Sequence, residues 1–366
     1  MAGATGGRVA RQISRMMTAL RAWVTAQWQD RTRSLAARLL QPLSWLYAAL
    51  ADGHAALYRL GLRRAQSAPV PVLVVGNLVA GGAGKTPTVI ALVGLLRRQG
   101  WTPGVISRGH GRQSGDLVDV TRASSAADCG DEPLLIHLRT GAPVAVGADR
   151  VAAARALCAA HPAVDILVAD DGLQHHRLKR DMALLVFDER GAGNGLRLPA
   201  GPLRQALPSA VPAHSLVLYN APRPSTALPG LTGRRRLAGV LPLAAWWQGQ
   251  TTENAQCADG GWAALRGRRL LAAAGLARPE PFFAMLEAHG LQIDRLPLAD
   301  HHRFAPLPWP DGTADVIVTE KDAVKLPPAS VGGVRVWVAT LDFQPEPAFD
   351  KALRALCAPF RPHHEP

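Results

Sequence analysis

Residues 72–86 constrain this chain more than any other stretch. Val72 to Val75 is a short, continuous, valine-rich run, the pattern of a strand buried on both faces. A glycine-rich turn follows and ends in Gly81-Gly82-Ala83-Gly84-Lys85-Thr86. Thr86 to Arg98 then places Ile90, Leu92, Val93 and Leu96 on one side at helical spacing and stops at Gly100. Strand, glycine turn and helix in that order predict a phosphate-binding loop.

The chemistry follows from the residue types. Glycines let the backbone turn tightly, so several N–H groups can point at phosphate oxygens, and the helix start adds its positive dipole end. Gly81, Gly82, Ala83 and Gly84 supply that backbone. Lys85 can reach the β- and γ-phosphates, and the Thr86 hydroxyl can ligate Mg²⁺. The loop is a variant, because Val79 stands where the usual pattern has its first glycine. A nucleoside triphosphate and Mg²⁺ are therefore the expected ligands. Asp170 and Asp171 follow the apolar run Ile166 to Ala169, as metal-holding carboxylates at a strand end would. They also fit a simple strand-ending turn. Two adjacent carboxylates repel each other, and a cation would relieve that repulsion.

Strands and helices alternate through the first two thirds. Gly104 to Ser107, Pro143 to Val146, Ile166 to Ala169 and Ala183 to Phe187 read as strands, and Arg150 to Ala160 as a helix. Ser215 to Tyr219 reads as a further strand, expected at a sheet edge. This alternation implies an α/β fold of the P-loop NTPase type, a mostly parallel sheet flanked by helices. The Pro/Gly-rich stretch Ala221 to Gly233 reads as a linker or domain boundary. Beyond it Leu270 to Ala274, Val316 to Thr319 and Val334 to Ala339 read as strands, Pro281 to His289 as a helix, and Trp246 to Trp262 as a surface excursion. The expected organisation is a basic helical segment (1–66), a P-loop core (67–225) and a smaller α/β domain (226–366) closing over the site.

Charge separates the N-terminal segment from the rest. Lys+Arg number 41 against 28 Asp+Glu, a net +13. Residues 1–66 hold ten arginines (Arg8, Arg11, Arg15, Arg21, Arg31, Arg33, Arg38, Arg59, Arg63, Arg64) and only Asp30 and Asp52 as acids. Trp23, Trp28, Trp45, Tyr47 and Tyr58 are interspersed. Basic residues mixed with aromatic and leucine residues suit an amphipathic helix lying in an anionic membrane interface; a helix packed on its own domain fits as well. The apolar stretch Leu39 to Leu50 is broken by Gln41 and Pro42 and falls short of the roughly 20 residues a membrane span needs. Much of the arginine excess is equally compatible with a composition bias. No helix-turn-helix, RNA-binding or finger motif accompanies the charge, so nucleic acid is not an expected partner. Cys129, Cys158, Cys257 and Cys357 are too scattered for a zinc site and read as reduced thiols.

Taken in order, the motifs resemble the tetraacyldisaccharide 4'-kinase family, the lipid A 4'-kinases. The matching stretches are Pro42-Leu-Ser-Trp-Leu-Tyr47, Val75-Gly-Asn77 leading into Gly81-Gly-Ala-Gly-Lys-Thr-Pro87, Ser107-Arg-Gly109, Gly130-Asp-Glu-Pro133, Asp170-Asp-Gly-Leu-Gln-His175, Asn194-Gly195, Leu198-Pro-Ala-Gly-Pro-Leu-Arg204, Asp300-His301 and Thr319-Glu-Lys-Asp-Ala-Val-Lys325. The resemblance implies transfer of the ATP γ-phosphate to the 4'-hydroxyl of a tetraacylated glucosamine disaccharide 1-phosphate. It also implies peripheral or monotopic attachment to the cytoplasmic face of the bacterial inner membrane; the chain is expected to be a monomer.

Roles carry over by position. Asp131 matches the family's catalytic carboxylate, and His301 the histidine that works with it; with Lys85 they form the expected catalytic set. Glu132 is a candidate to assist Mg²⁺ beside Thr86, Asp170 and Asp171. Gln174 and Lys321 are candidates to contact the nucleotide. Asn77, Arg150, His175 and Arg204 are candidates on the acceptor side, the arginines because guanidinium pairs bidentately with phosphate oxygens. Three of the motifs depart from the family pattern: His110 stands for tyrosine, Gln205 for glutamate, and Gly275-Leu-Ala277 for Gly-Ile-Gly. A phosphate loop also serves ATPase or GTPase switches and maturation factors acting on a protein partner. The discriminator is whether ATP turnover requires a glycolipid acceptor.

Overall fold

The computed structural model describes residues 24–29, 34–252 and 261–361. Arg8, Arg11, Arg15, Arg21, Arg31, Arg33, Trp23 and Asp30 of the basic segment, and Cys257, lie outside the described residues. Helix α1, Leu35–Arg59, opens on Ser34, whose side chain accepts from the Ala37 N–H. Strand β1, Val72–Gly76, follows and is buried throughout. It leads through the loop into α2, Lys85–Arg98. Then come β2, Pro103–Ser107; β3, Val118–Asp119; α3, Ala126–Cys129; α4, Asp131–Thr140; β4, Val144–Val146; and α5, Arg150–Ala160. Strands β5, Ile166–Asp170, β6, Met182–Asp188, and β7, Ser215–Asn220, complete the expected set.

The remainder is β8, Leu231–Pro242; α6, Leu243–Trp247; β9, Arg269–Ala274; α7, Glu280–Ala288; β10, Gln292–Pro297; β11, Asp315–Thr319; α8, Glu320–Ala323; β12, Arg335–Pro345; and α9, Ala348–Cys357. All twelve strands join one sheet, in the order β10-β9-β11-β12-β8-β7-β6-β1-β5-β2-β4-β3. Neighbours are parallel except at β12/β8 and β3/β4. Residues such as Leu73, Val75, Val105, Ile166, Val168 and Val186 are fully buried, each contributing roughly 1.5–3 kcal/mol. Such burial on both faces is why these strands read as uninterrupted apolar runs.

Three expectations need correction. Strand β7 is interior, with β6 on one side and β8 on the other. The stretch Ala221 to Gly233 is not a loose linker: Ala221 and Leu228 are buried, and β8 has begun by Leu231. Strand β8 pairs with β7 at Leu231 and Thr232 alone and then runs antiparallel to β12 from Gly233 to Pro242, so it stitches the two halves into one sheet. Nor is Trp246 to Trp262 simply a surface excursion. Trp246 and Trp262 are buried, and the Trp246 indole donates to Glu320 Oε1 at 3.0 Å; residues 253–260 of this stretch lie outside the description. The chain also returns on itself. Phe349, Leu353 and Cys357 of α9 join the core that covers α2, and the Gln99 amide at the end of α2 donates to Asp350 Oδ1 at 3.0 Å.

Helix α1 is attached differently. It buries only Ala37 and Ser44, and it is held by polar contacts: Ser44 Oγ to the Arg197 carbonyl at 2.9 Å, Tyr47 Oη to the Arg204 carbonyl at 3.0 Å, and Asp52 with Arg197 at 2.9 Å. Leu35 (73% exposed), Leu39 (74%), Leu43, Leu46 and Leu50 are left in solvent along its outer side. Among the described residues no helix is long and apolar enough to cross a membrane.

Candidate active site

Strand β1 lies between β5 and β6, with β2 and β4 beyond the first and β7 and β8 beyond the second. The C-terminal ends of parallel strands at such a switch of direction form a crevice, and the site residues collect there. Val75 of β1 is in register with Asp170 of β5, which sets the carboxylate pair beside the start of the phosphate loop. Helix α2 begins at Lys85 behind Gly84, whose φ is +75°. A β-carbon on Gly84 would stand 2.6 Å from the Asn220 side-chain nitrogen, so backbone conformation and close packing both require glycine.

Lys85 Nζ donates to Asn77 Oδ1 at 3.1 Å and lies 3.5 Å from Asp171 Oδ1. Arg204 Nη1 donates to the same oxygen at 3.2 Å and to Oδ2 at 3.3 Å. Burial works to raise the Asp171 pKa, yet the Lys85 and Arg204 charges bring it below the ordinary carboxylate value. Asp171 has φ +48°, a backbone region sparsely used outside glycine, as found at sites where the fold over-determines a residue. Asp170 is the contrasting member. It is 2% exposed, Ser107 Oγ donates to its Oδ2 at 3.4 Å, and Oδ1 has no hydrogen-bond partner. Burial, with Glu132 and Asp171 nearby, pushes its pKa up to about 7. A buried carboxylate oxygen without a donor, between two further acids, is chemically suited to a divalent cation. Among the described residues no compact group of three or more His, Cys, Asp or Glu side chains forms a complete protein cage. A magnesium site completed by waters and phosphate oxygens has no need of one.

The second cluster is built by α4 and the other half of the chain. Gly130 (φ +92°) packs its backbone on Gly109, where a β-carbon would come within 3.2 Å, and this seats Asp131 at the start of α4. His301 Nδ1 lies 2.8 Å from Asp131 Oδ2. Lys325 Nζ stands 3.8 Å from the same oxygen and 3.0 Å from Asp322. Burial works to raise the Asp131 pKa, but the His301 hydrogen bond and the Lys325 charge hold it below the usual carboxylate range. The same hydrogen bond, against burial, raises His301. His301 also has a positive φ of 58°. The clusters meet through Glu132, next to Asp131 and close enough to Asp170 to perturb it.

The other expected residues distribute as follows. Lys321 sits among Glu132 (3.7 Å), Asp300 (3.3 Å) and His301 Nε2 (3.3 Å), on the Asp131 side of the crevice. Gln174 Nε2 donates to Gln205 Oε1 at 3.3 Å and to the Asn77 carbonyl at 3.4 Å, so the two amides pair where the family pattern has glutamate at 205. Arg150 is buried and donates to the Asp170 carbonyl at 3.1 Å, behind the carboxylates. His175 is half-buried near Arg150; burial first, then that charge, lower its pKa to about 4. His110, the substitute for tyrosine, meets the His301 ring edge-on with centroids 5.9 Å apart.

Sequence reasoning missed three groups. Lys325 was visible only as part of a motif. Asn220, at the end of β7, and Arg190, after β6, bond to carbonyls of the phosphate loop. Contacts to backbone leave no residue pattern to find.

A phosphate loop at a parallel-sheet switch point, with paired carboxylates on one flank and a separate acid–histidine pair beyond them, defines a P-loop nucleotide-dependent kinase. Residues 36–358 match the family model described as tetraacyldisaccharide-1-P 4'-kinase. The chain is 54% identical over 351 residues to the tetraacyldisaccharide 4'-kinase of Methylibium petroleiphilum, covering 94% of this chain and 96% of that protein. It is 52% identical over 344 residues to the protein of that name from Leptothrix cholodnii, covering 93% and 97%. The crystal structure of LpxK from Aquifex aeolicus in complex with ATP shares the fold, with a TM-score of 0.71 at 24% identity over 89% of this chain and 99% of that one. The chain belongs to the tetraacyldisaccharide 4'-kinase family.

Proposed function

We infer that the protein transfers the γ-phosphate of ATP to the 4'-hydroxyl of a tetraacylated glucosamine disaccharide 1-phosphate, a step in lipid A biosynthesis. The observation that carries this reading is the 2.8 Å contact between His301 and Asp131 beside the phosphate loop. A nucleotide switch needs the loop and the metal carboxylates; a kinase also needs a group to receive the acceptor's proton.

Phosphoryl transfer requires little covalent help from protein and much positioning and charge neutralisation. The loop N–H groups and Lys85 hold the triphosphate. Thr86 and Asp170 would hold Mg²⁺, with Asp171 and Glu132 close by. Bound there, the ion would offset charge on the phosphate oxygens. Asp131 is kept ionised by its neighbours and so is ready to accept the hydroxyl proton. His301 orients that carboxylate, its Nδ1–H donating to Oδ2. Because His301, Lys321 and Lys325 come from the second half, its approach to α4 assembles the site and excludes water that would otherwise hydrolyse ATP. All these groups come from one chain, so a monomer suffices. Arg150, buried behind Asp170, acts through that carbonyl, whereas Arg204 faces the crevice with Asp171.

The exposed leucine face of α1 supports peripheral attachment to an anionic membrane. A need for ATP supports the cytoplasmic face of that membrane as the site of action. Tyr47 and Ser44 tie that helix to residues 197–204, which brings the lipid surface to the crevice. Pure protein, labelled ATP and the disaccharide 1-phosphate in detergent test the reading. A labelled lipid product is expected; ATP turnover indifferent to the acceptor would overturn it. Leu39→Glu with Leu43→Glu should release the protein from anionic vesicles in a sedimentation assay.

A further inference from the structure

The phosphate loop is held by side chains at four successive carbonyls. Arg190 Nη2 donates to the Gly82 carbonyl at 2.8 Å. Asn220 Nδ2 donates to the Ala83 carbonyl at 2.6 Å and the Gly84 carbonyl at 3.2 Å. Asn77 Nδ2 donates to the Gly81 carbonyl at 3.1 Å. The donors are themselves fixed. Arg190 Nε forks onto both oxygens of buried Asp188, at 3.0 and 2.8 Å, at the end of β6. Asn220 ends β7, is 5% exposed, and meets Thr88 Oγ1 of α2.

In a trans peptide the carbonyl of one residue and the N–H of the next lie in the same plane and point in opposite directions. Fixing the carbonyls of Gly81, Gly82, Ala83 and Gly84 outward therefore turns the N–H groups of Gly82, Ala83, Gly84 and Lys85 the other way. Among the described residues, the N–H groups of Gly82, Ala83 and Gly84 donate to no protein group. Glycine-rich backbone is free to flip its peptide planes, so left alone such a loop would sample many arrangements. A site whose donors are already aimed does not spend binding energy on ordering them.

We propose that Asn220 and Arg190 are positioning residues for ATP, which hold the loop's carbonyls outward so that its N–H groups face the triphosphate. Neither side chain bonds to the Asp131–His301 pair; their partners are Asp188, Thr88 and the loop carbonyls. The ends of β6 and β7 thereby act on the nucleotide through the loop, opposite the β5 flank that carries Asp170. The proposal rests on reading residues 81–86 as the ATP site.

The test uses the full-length protein and measures KM for ATP, KM for the lipid acceptor, and competitive inhibition by inorganic tripolyphosphate, which has phosphates and no nucleoside. Asn220→Ala and Arg190→Ala are each expected to raise the ATP KM and the tripolyphosphate inhibition constant about tenfold while leaving the acceptor KM unchanged. Asn220→Asp keeps the volume but aims a carboxylate at two carbonyls, and should lose more than Asn220→Ala. Arg190→Lys should recover part of the loss. Should Asn220→Ala fail to fold, Arg190→Ala decides alone, since its partner carbonyl at Gly82 lies on an exposed turn. Unchanged tripolyphosphate inhibition in well-folded variants would overturn the proposal, as would equal rises in both KM values with a lowered melting temperature. A wild-type protein that binds ADP and tripolyphosphate yet phosphorylates no lipid would sink the kinase reading and leave this one standing. One that binds neither would end both.

Discussion

His301 Nδ1 and Asp131 Oδ2 lie 2.8 Å apart although 170 residues separate them in the chain. Asp131 opens α4 in the first half; His301 follows β10 in the second. Two groups that work as a unit lose their effect together. Asp131→Asn and His301→Ala are each expected to lower kcat by about 10²–10⁴, and the double variant by little more than the worse single one. The ATP KM should hardly move. Steady-state kinetics of the four proteins check this, and additive losses would mean that the residues act separately.

Lys85 stands between Asn77 and Asp171 at the loop's exit. Lys85→Ala should cut transfer by about 10³ or more, because charge placed on the phosphates is the largest contribution the protein makes. Unchanged turnover in an assay with labelled ATP would remove the loop from the mechanism.

Metal dependence follows from the uncapped Asp170 oxygen. Chelation with EDTA should abolish transfer, and added Mg²⁺ should restore it. Asp170→Asn should raise the Mg²⁺ concentration needed for half-maximal rate, read from a titration at fixed ATP. Full activity of the wild type in EDTA would refute the assignment.

Glu320 ties the halves together away from the chemistry. It is 4% exposed and accepts from Arg139 of α4, from Trp246 Nε1 and from the Leu341 N–H. Arg139→Ala would leave that carboxylate buried without its counterion, a loss of about 3–5 kcal/mol. Urea unfolding measures it; a change under about 1 kcal/mol would show that the pair is well solvated.

His175 gives a pH dependence of stability. Its folded pKa, about 4, lies below the ordinary 6.5 because burial and then the Arg150 charge favour the neutral ring. The unfolded chain therefore takes up a proton first as pH falls. The contribution is complete above pH about 6.5 and is lost as pH drops toward 4. Between those values the wild-type melting temperature should fall more steeply than that of His175→Gln. Parallel falls would show that the ring is solvated.

The kinase half was legible because its strands are buried on both faces and its loop is local in sequence. Val72 to Val75, Ile166 to Ala169 and Ala183 to Phe187 have nothing polar to interrupt them. Strand β8 escaped notice because Arg234, Arg235 and Arg236 stand exposed in its middle and its burial follows no period of two. Strand β10, Gln-Ile-Asp-Arg-Leu-Pro, lies at the sheet edge, where no second neighbour demands apolar side chains. In the site, Lys85 and the carboxylate pair were readable from spacing. The meeting of Asp131 with His301 depends on tertiary approach, and only the family resemblance pointed to it. Asn220 and Arg190 act on carbonyl groups, which every residue carries alike.

Helix α9 has a consequence for synthesis. Phe349 and Leu353 close the core over the helix that begins at Lys85, and Asp350 fastens that helix's far end. A nascent chain emerging from the ribosome with residues 67–225 in hand still has an open apolar wall where these side chains belong. The nucleotide site is thus translated well before the wall that completes its packing, and a chaperone attending the growing polypeptide would find its hydrophobic target there.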